Sequence, residues 1–241
     1  MTTFLLMHGG GMGGWTWKYV RPLLRAAGHE VFSPSFTGFA EHAHLMRRDT
    51  THGVHVQDIS SLIACEDMQD VVLVGHSYSG TVIPGVVKAH PNAVRRAIFL
   101  DAIVARSGER VATAMGMVPE EQAAGLDAML AAGDGPIGSG VDEQQRAMAK
   151  DNPHMMDSER EAWLLRHLSD MPLRCTISPI ETGAETLTIP VDYIAAQHTI
   201  MTIMHDRARE LGWTMHQHPG DHALLVGDPE GVARLLLDIS A

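Results

Sequence analysis

In the sequence GHSYSG at residues 75–80, Ser77 stands where a short aliphatic run ends and a segment with helical spacing begins. A strand that turns at once into a helix holds its apical residue in a strained conformation. Small residues two positions before and after it then let the backbones pass. Gly75 and Ser79 meet that need, although Ser79 stands where glycine is commoner. We therefore predict that Ser77 is a nucleophile; the alternative is a turn or helix-capping serine.

Three glycines follow the first predicted strand, in the sequence LLMHGGGMGGWTW at residues 5–17. Backbone without side chains can pass close to a bound carbonyl, so the N–H groups of Gly10 and Tyr78 are predicted to stabilise a developing oxyanion. The residues predicted to contact substrate are Gly9, Gly11, Trp15 and His76. The glycine spacing matches neither the dinucleotide nor the P-loop motif. The sequence therefore predicts no cofactor, and a plain glycine-rich turn is the alternative.

The candidate base is His222, in the sequence QHPGDHALLVGDPE at residues 217–230. The chain has 15 histidines, so the evidence is its position after the last predicted strand and before the last predicted helix. A histidine there can reach Ser77 and act as general base and then general acid. His216 and His218 alternate on that strand, but no cysteine or carboxylate cluster accompanies them. We therefore predict no metal site.

The segments that carry these residues alternate between strand-like and helix-like sequence. This alternation predicts an α/β fold with a mostly parallel, doubly wound sheet. Residues 105–186 hold helix formers instead, which predicts a helical cap, here called the cap segment, inserted into a core of residues 1–104 and 187–241. The carboxyl ends of parallel strands share one edge. Ser77, Asp101 and His222 should therefore converge there with the glycine run.

The composition of the chain argues against some classes of binding partner. The formal net charge of −11 argues against nucleic acid and anionic membranes, because phosphates would be repelled. No window has the length of a membrane span, and the N-terminus lacks a signal peptide's basic region. Cys65 and Cys175 lie far apart, as expected for free thiols in a reducing compartment. We predict a cytoplasmic protein with a small-molecule partner. Oligomeric state is left open, and burial of the cap segment against a second copy would give a homodimer.

Three stretches resemble a known family: residues 8–45, VVLVGHSYSG at 71–80 and GDHALLVGDPEGVARLLL at 220–237. They resemble the α/β-hydrolase superfamily, and within it the branch of plant methyl-ester esterases, hydroxynitrile lyases and bacterial esterase relatives. The resemblance implies an α/β-hydrolase fold, with Ser77 and His222 as nucleophile and base. It also implies Gly10 and Tyr78 as oxyanion donors.

The acid of the triad departs from the family pattern. Relatives usually carry Asp after the strand that follows the cap, but here that segment reads YIAAQHTIM, residues 193–201, without a carboxylate. The best replacement is Asp101 at the end of the fourth strand, where some superfamily members place the acid. Asp206, Asp221 and a dyad helped by an amide or water are the alternatives. Asp101 could also simply cap backbone N–H groups at its strand end.

The position after the candidate base separates two reactions. Hydroxynitrile lyases of this branch carry Lys directly after the catalytic His, whereas this chain has Ala223. The sequence therefore predicts a carboxylesterase that cleaves small hydrophobic esters through a Ser77 acyl-enzyme. Cap methionines such as Met115, Met129 and Met155 suggest an adaptable apolar pocket, unless they only fill the core. A cofactor-free lyase or lactonase, and a weakly catalytic small-ligand binding protein, are the alternative functions.

Overall fold

The computed structural model describes the backbone of residues 1–151 and 158–241, and the side chains of residues 1–147 and 159–241. Six strands form one sheet in the order β2-β1-β3-β4-β5-β6, and every neighbouring pair is parallel. The strands are β1 Thr3–Met7, β2 Glu30–Phe32, β3 Val71–His76, β4 Val94–Leu100, β5 Val191–His198 and β6 Thr214–Asp221. The predicted α/β fold with a mostly parallel sheet is confirmed.

Helices cover both faces of this sheet and fill the cap segment. The core helices are α1 Val20–Ala26, α2 His52–Cys65, α3 Ile83–Ala89, α9 Thr202–Glu210, α10 Leu224–Gly227 and α11 Pro229–Ser240. The helices between β4 and β5 are α4 Val111–Ala114, α5 Glu120–Ala131, α6 Val141–Asp151, α7 Ser158–His167 and α8 Arg174–Ile177. Single 3-10 turns lie at Gly14–Lys18, Ala40–Leu45, Ser77–Thr81 and Ala184–Thr186. None of the helices in the described ranges is long and apolar enough to cross a bilayer.

The central strands are buried on both faces, which explains their unbroken aliphatic runs. Alternate side chains of β3 enter two different core clusters: Leu73 packs on one face of the sheet and Val74 on the other. In β4, Phe99 and Leu100 divide in the same way. Because both faces are apolar, the sheet edge that bears the strands' carboxyl ends is where polar side chains can gather.

The start of the third core helix differs from the sequence expectation. The sequence predicts a helix over residues 80–90 with Pro84 inside its first turns, where the proline should bend that helix. In the structure a 3-10 turn over Ser77–Thr81 comes first, and Pro84 stands at the beginning of α3, Ile83–Ala89. Proline is tolerated at that position because the N–H it lacks has no intrahelical acceptor there. The proline therefore starts a helix instead of bending one.

Candidate active site

Ser77 occupies the tight turn between β3 and the 3-10 turn that precedes α3. Its φ of 54° lies in the left-handed region, where non-glycine residues are uncommon and strained. A Cβ on Gly75 would lie 3.2 Å from the Ser79 carbonyl carbon, so the turn needs glycine at that position. Ser79 itself is buried and its hydroxyl donates to the carbonyls of Met7 and His76. The turn leaves the Ser77 side chain partly exposed beside the loop after β6.

His222 lies in that loop and contacts Ser77 on one side and Asp101 on the other. Its Nδ1 is 2.6 Å from Asp101 Oδ2 and its Nε2 is 2.9 Å from Ser77 Oγ. An ionised carboxylate can only accept, so Nδ1 carries the proton that it donates to Asp101. Nε2 is then the acceptor for the Ser77 hydroxyl. The structure thus brings all three sequence-predicted catalytic residues into one hydrogen-bonded chain.

Asp101 is fully buried at the end of β4, and each of its two oxygens accepts two hydrogen bonds. Oδ1 accepts from the Ala196 N–H at 3.2 Å and from His205 Nε2 at 2.8 Å. Oδ2 accepts from Thr199 Oγ1 and His222 Nδ1, each at 2.6 Å. Burial alone would raise the pKa of Asp101, but the hydrogen bonds from His205, His222 and Thr199 hold it well below its ordinary value. The carboxylate is therefore ionised at neutral pH despite its burial.

The two other aspartates considered as the acid have different partners. Asp206 is exposed on α9, and its Oδ1 lies 2.6 Å from Arg209 Nη1. Asp221 Oδ1 accepts from the Ala223 N–H at 2.7 Å, so this carboxylate caps the backbone beside His222. Burial raises the pKa of Asp221, in contrast to Asp101. The geometry therefore favours Asp101 over either alternative.

The glycine run lies against the turn that carries Ser77. A Cβ on Gly9 would lie 3.0 Å from the Ser77 Cβ, and a Cβ on Gly10 would lie 3.8 Å from the Tyr78 Cβ. Tyr78 is in the first turn of the 3-10 helix, where backbone N–H groups have no intrahelical acceptor. The backbone of Gly9 and Gly10 thus lies against Ser77 and Tyr78, and this proximity of two chain segments is one that a pair of oxyanion donors needs.

Cap residues hold the carbonyl groups of the same glycine run. Gln145 on α6 donates from Nε2 to the Gly10 carbonyl at 3.0 Å, and the Ser169 N–H donates to the Gly11 carbonyl at 2.9 Å. Gly11 has a φ of 71°, which explains the need for glycine there. The Met171 sulfur lies 3.0 Å from where a Gly10 Cβ would stand. The cap segment therefore fixes the glycine run and supplies an apolar side chain beside it.

Two of the predicted substrate contacts have other surroundings. His76 is 0% exposed and donates from Nε2 to the His222 carbonyl at 2.8 Å, so it holds the backbone of His222 and does not face a cleft. Burial lowers the pKa of His76 to about 3, so the ring is neutral. Trp15 packs edge-on against Trp163, with ring centroids 5.1 Å apart. That pair joins the core to α7. Met155, predicted as a pocket residue, lies outside the described residues.

Two more buried histidines make hydrogen bonds to the chain segments next to the site. His8 directly precedes the glycine run: its Nδ1 donates to the Gly9 carbonyl at 2.9 Å and its Nε2 accepts from the Phe36 N–H at 3.0 Å. His55 Nε2 donates to the Thr37 carbonyl at 2.9 Å, and its Nδ1 accepts from the Tyr78 hydroxyl at 2.7 Å. Burial lowers the pKa of His8 to about 4 and that of His55 to about 3. Both are therefore neutral scaffolding groups with a single tautomer.

Sequence reasoning missed Gln145, Thr199 and His205. Thr199 stands in YIAAQHTIM, where a single hydroxyl carries no motif that marks a contact with a distant carboxylate. His205 lies on the next helix, and among 15 histidines its spacing carries no signal. Gln145 is in a helix that the sequence pattern did not predict. Each acts through a tertiary contact that local sequence does not encode.

Comparison with known proteins identifies a family and a fold. A family model described as "Alpha/beta hydrolase family" matches residues 4–235. An extracellular alpha/beta-hydrolase from a Paenibacillus species superposes with a TM-score of 0.78 and 21% sequence identity, covering 99% of this chain and 98% of that one. At that identity the superposition supports the fold alone.

Four curated relatives add sequence similarity. The carbendazim hydrolyzing esterase of Nocardioides sp. is 38% identical over 120 residues, which cover 50% of this chain and 48% of that protein. The chain thus spans about half the length of this relative, and less than half of the next two, a norfluorocurarine synthase and polyneuridine aldehyde esterase. A probable esterase of Oryza sativa is 25% identical over 99% of this chain and 96% of its own length.

Proposed function

Because this chain belongs to the alpha/beta hydrolase family, we propose that it is a serine hydrolase that cleaves carboxylic esters through an acyl-enzyme on Ser77. The observation that carries the proposal is the unbroken chain from the Ser77 hydroxyl through His222 to Asp101, with contacts of 2.9 and 2.6 Å. A serine is activated as a nucleophile when its hydroxyl is hydrogen-bonded to a base that a third group orients.

The first half of the reaction forms the acyl-enzyme. Ser77 Oγ attacks the ester carbonyl carbon while its proton passes to His222 Nε2. The carbonyl oxygen becomes an oxyanion, which the N–H groups of Gly10 and Tyr78 stabilise. His222 is then an imidazolium, and ionised Asp101 stabilises its charge through the Nδ1–H bond. The C–O bond to the alcohol breaks, and the leaving alkoxide takes the proton from Nε2.

The second half releases the acid. A water molecule loses a proton to His222 Nε2 as its oxygen attacks the acyl carbon. The resulting tetrahedral intermediate uses the same two backbone donors. It collapses with breakage of the bond to Ser77, whose oxygen recovers a proton from His222. The enzyme returns to its starting protonation state, so this reaction consumes only the ester and water.

We further propose small hydrophobic esters as the substrate class. The Met171 side chain stands over Gly10, and buried Met201 and Met204 lie in the segment beside Asp101. Unbranched methionine side chains adapt to apolar groups of different shape. A relative named for carbendazim hydrolysis supports the same class, and carbendazim is therefore worth including in a substrate panel.

Steady-state hydrolysis of p-nitrophenyl esters of increasing acyl length tests the proposal. We expect saturable turnover that favours short acyl chains, and a loss of kcat on the order of 10³-fold or more in Ser77→Ala. Ser61→Ala, on the exposed side of α2, is the matched control and should retain full activity. Absence of turnover with every ester, or undiminished activity in Ser77→Ala, would overturn the proposal.

A further inference from the structure

Besides His222, two further side chains, Thr199 and His205, contact the buried carboxylate that the proposed mechanism uses. Thr199 Oγ1 lies 2.6 Å from Asp101 Oδ2, and His205 Nε2 lies 2.8 Å from Oδ1. Both belong to the stretch of residues 196–205, which joins the end of β5 to α9. The N–H of Ala196, at the start of that stretch, also donates to Oδ1 at 3.2 Å. One short stretch thus provides three of the four donors to Asp101.

The direction of each hydrogen bond is fixed by what else the donor contacts. Thr199 Oγ1 accepts from the Met201 N–H at 3.0 Å, which leaves its hydroxyl proton for Asp101. His205 is a buried side chain, and a carboxylate oxygen can only accept, so His205 Nε2 carries the proton it shares with Asp101. With two donors on each oxygen, the Asp101 carboxylate cannot rotate about its own axis without breaking hydrogen bonds.

From this geometry we propose, on the basis of the function proposed above, that Thr199 and His205 are positioning residues of the catalytic reaction. They hold the Asp101 carboxylate in the orientation that receives the His222 Nδ1–H. Neither would touch substrate, and each acts through Asp101. A carboxylate that is buried without partners would take up a proton or turn away from the imidazole. The two donors prevent both outcomes.

The other charged and titratable groups around His205 are engaged elsewhere. The Tyr193 ring from β5 stands edge-on to the His205 ring, with centroids 5.4 Å apart, and its hydroxyl donates to the Ala102 carbonyl. On α9 itself, Arg207 pairs with Glu109 and Asp206 with Arg209, each at 2.6 Å. His222 lies on the far side of Asp101. Within the described residues, Asp101 is therefore the carboxylate that His205 contacts.

His205→Leu removes the donor while keeping an apolar side chain of similar bulk, and His205→Gln keeps an N–H that can reach Oδ1. In His205→Leu we expect kcat to fall on the order of 10- to 100-fold, with KM little changed, because transition-state geometry is lost and substrate binding is not. Thr199→Val should give a loss of the same kind. His205→Gln should recover most of the activity.

A pH profile separates positioning from a merely structural role. Without the His205 donor, the pKa of Asp101 rises, and the carboxylate takes up a proton or turns away from the imidazole. The imidazolium form of His222 then loses the charge that stabilises it. We therefore expect the acid limb of kcat/KM to move to lower pH, by roughly half a unit or more. His198→Leu, an exposed change in the same stretch, should leave the limb in place.

The closing experiment is an NMR pH titration of the imidazole of His222 in labelled wild-type, His205→Leu and His205→Gln protein, run beside the kinetics. We expect the His222 imidazole to take up its proton at lower pH in His205→Leu than in wild type, and at close to the wild-type pH in His205→Gln. A His222 titration in folded His205→Leu that is unchanged or moves to higher pH, or an activity loss that His205→Gln does not relieve, would overturn the proposal. Because the titration needs no turnover, it reads the positioning role even if wild-type protein hydrolyses no ester, a result that would refute the proposed function instead.

Discussion

Ser77 and Asp101 share a strained backbone at the ends of adjacent strands. Their φ angles are 54° and 44°, both in the left-handed region that few non-glycine residues adopt. The two turns are joined, because the Ile103 N–H donates to the Ser77 carbonyl at 2.9 Å. Strain of this kind persists where the surrounding contacts over-determine it, and it concentrates at functional sites. The proposed nucleophile and the proposed acid are therefore placed by two turns that a backbone hydrogen bond joins.

Asp101→Asn tests the role of the acid at the residue scale. An amide in place of the carboxylate can present its NH₂ group to His222 and stabilise the wrong tautomer. It also removes the charge that balances the imidazolium. We expect kcat to fall by a factor on the order of 10³–10⁴, as for a neutralised triad acid. Ester hydrolysis measured by initial rates at neutral pH is the readout.

The matched control for that substitution is Asp206→Asn, which changes an exposed carboxylate paired with Arg209. We expect its kcat to stay within about twofold of wild type, since surface ion pairs contribute little. A loss smaller than tenfold in Asp101→Asn would exclude it as the group that orients His222. A large loss in Asp206→Asn would reopen the choice of acid.

Among the elements, α6 and the chain around Ser169 act as a clamp on the glycine run. Gln145 and Ser169 donate to the carbonyls of Gly10 and Gly11, and the Ala40 N–H donates to the Ser169 hydroxyl at 3.1 Å. Because a peptide group is planar, fixing these carbonyls fixes the N–H groups of the next residues, Gly11 and Met12, and so holds the backbone directly after Gly10. The Gly10 N–H itself shares a peptide plane with the Gly9 carbonyl, which His8 holds. The clamp therefore links the cap segment to the proposed oxyanion site.

Gln145→Leu removes one side of the clamp without changing the glycine run. With the Gly10 carbonyl released, the donor geometry should loosen, and we expect kcat to fall roughly tenfold. Gln144→Leu, at the neighbouring exposed position, is the control and should keep full activity. Parallel kcat and KM measurements on short esters would show the effect. Equal kcat values for the two variants would contradict a role for Gln145.

The strands were predictable from sequence and part of the cap was not. Buried parallel strands are short aliphatic runs, so β1, β3 and β4 can be read directly from composition and turn residues. Helix α6, Val141–Asp151, has a mostly polar sequence, VDEQQRAMAKD, and the sequence pattern does not predict it. Its register is fixed by tertiary contacts: Arg146 donates to the Leu165 and Leu168 carbonyls. No local pattern encodes such contacts.

On the scale of the whole molecule, the cap segment shares its apolar core with the sheet. Leu164 and Leu168 of the cap belong to the cluster on one face of the sheet, and Met171 belongs to the cluster on the other. The small cluster around Ala123 and Leu130 is separate from both. We therefore propose that residues 105–186 fold together with the core residues and would not be stable alone.

Four buried histidines make the stability of the molecule sensitive to acid. Burial lowers the pKa of His8 and His52 to about 4, and that of His55 and His76 to about 3. In the unfolded chain these groups take up protons below pH ~6.5, while the folded chain resists. Between about pH 6.5 and 4 the unfolded state therefore binds more protons. Stability is fully present above this window and is lost as the pH falls through it.

His52→Leu should make the protein less sensitive to acid. The His52 ring packs against the Tyr78 ring, with centroids 5.8 Å apart, in surroundings that an apolar side chain can fill. Within that window, we expect the slope of unfolding free energy against pH to decrease by about 1.4 kcal/mol per pH unit. Urea unfolding at a series of pH values measures it. His44→Gln, at an exposed position, is the control; an unchanged slope in His52→Leu would contradict the assignment.

The positions of Ser77 and His222 in the chain predicted the strand-end turn and the loop that bring them together. Chain position alone left Asp206 and Asp221 as alternatives to Asp101. The choice among them depends on which carboxylate receives the hydrogen bonds from the stretch 196–205. Thr199 and His205 meet Asp101 across 98 and 104 residues of sequence. Polar networks of this kind are built by tertiary geometry, so their members show no periodic or motif signal.

The most direct test of the account is the covalent labelling of Ser77 by a fluorophosphonate, located by peptide mass spectrometry and timed in wild-type, Asp101→Asn and His222→Ala protein. The account predicts rapid modification of Ser77 in wild type and a rate that is lower by a factor on the order of 10² or more in both variants. Modification at another residue, or labelling of Ser77 at the wild-type rate in His222→Ala, would contradict it.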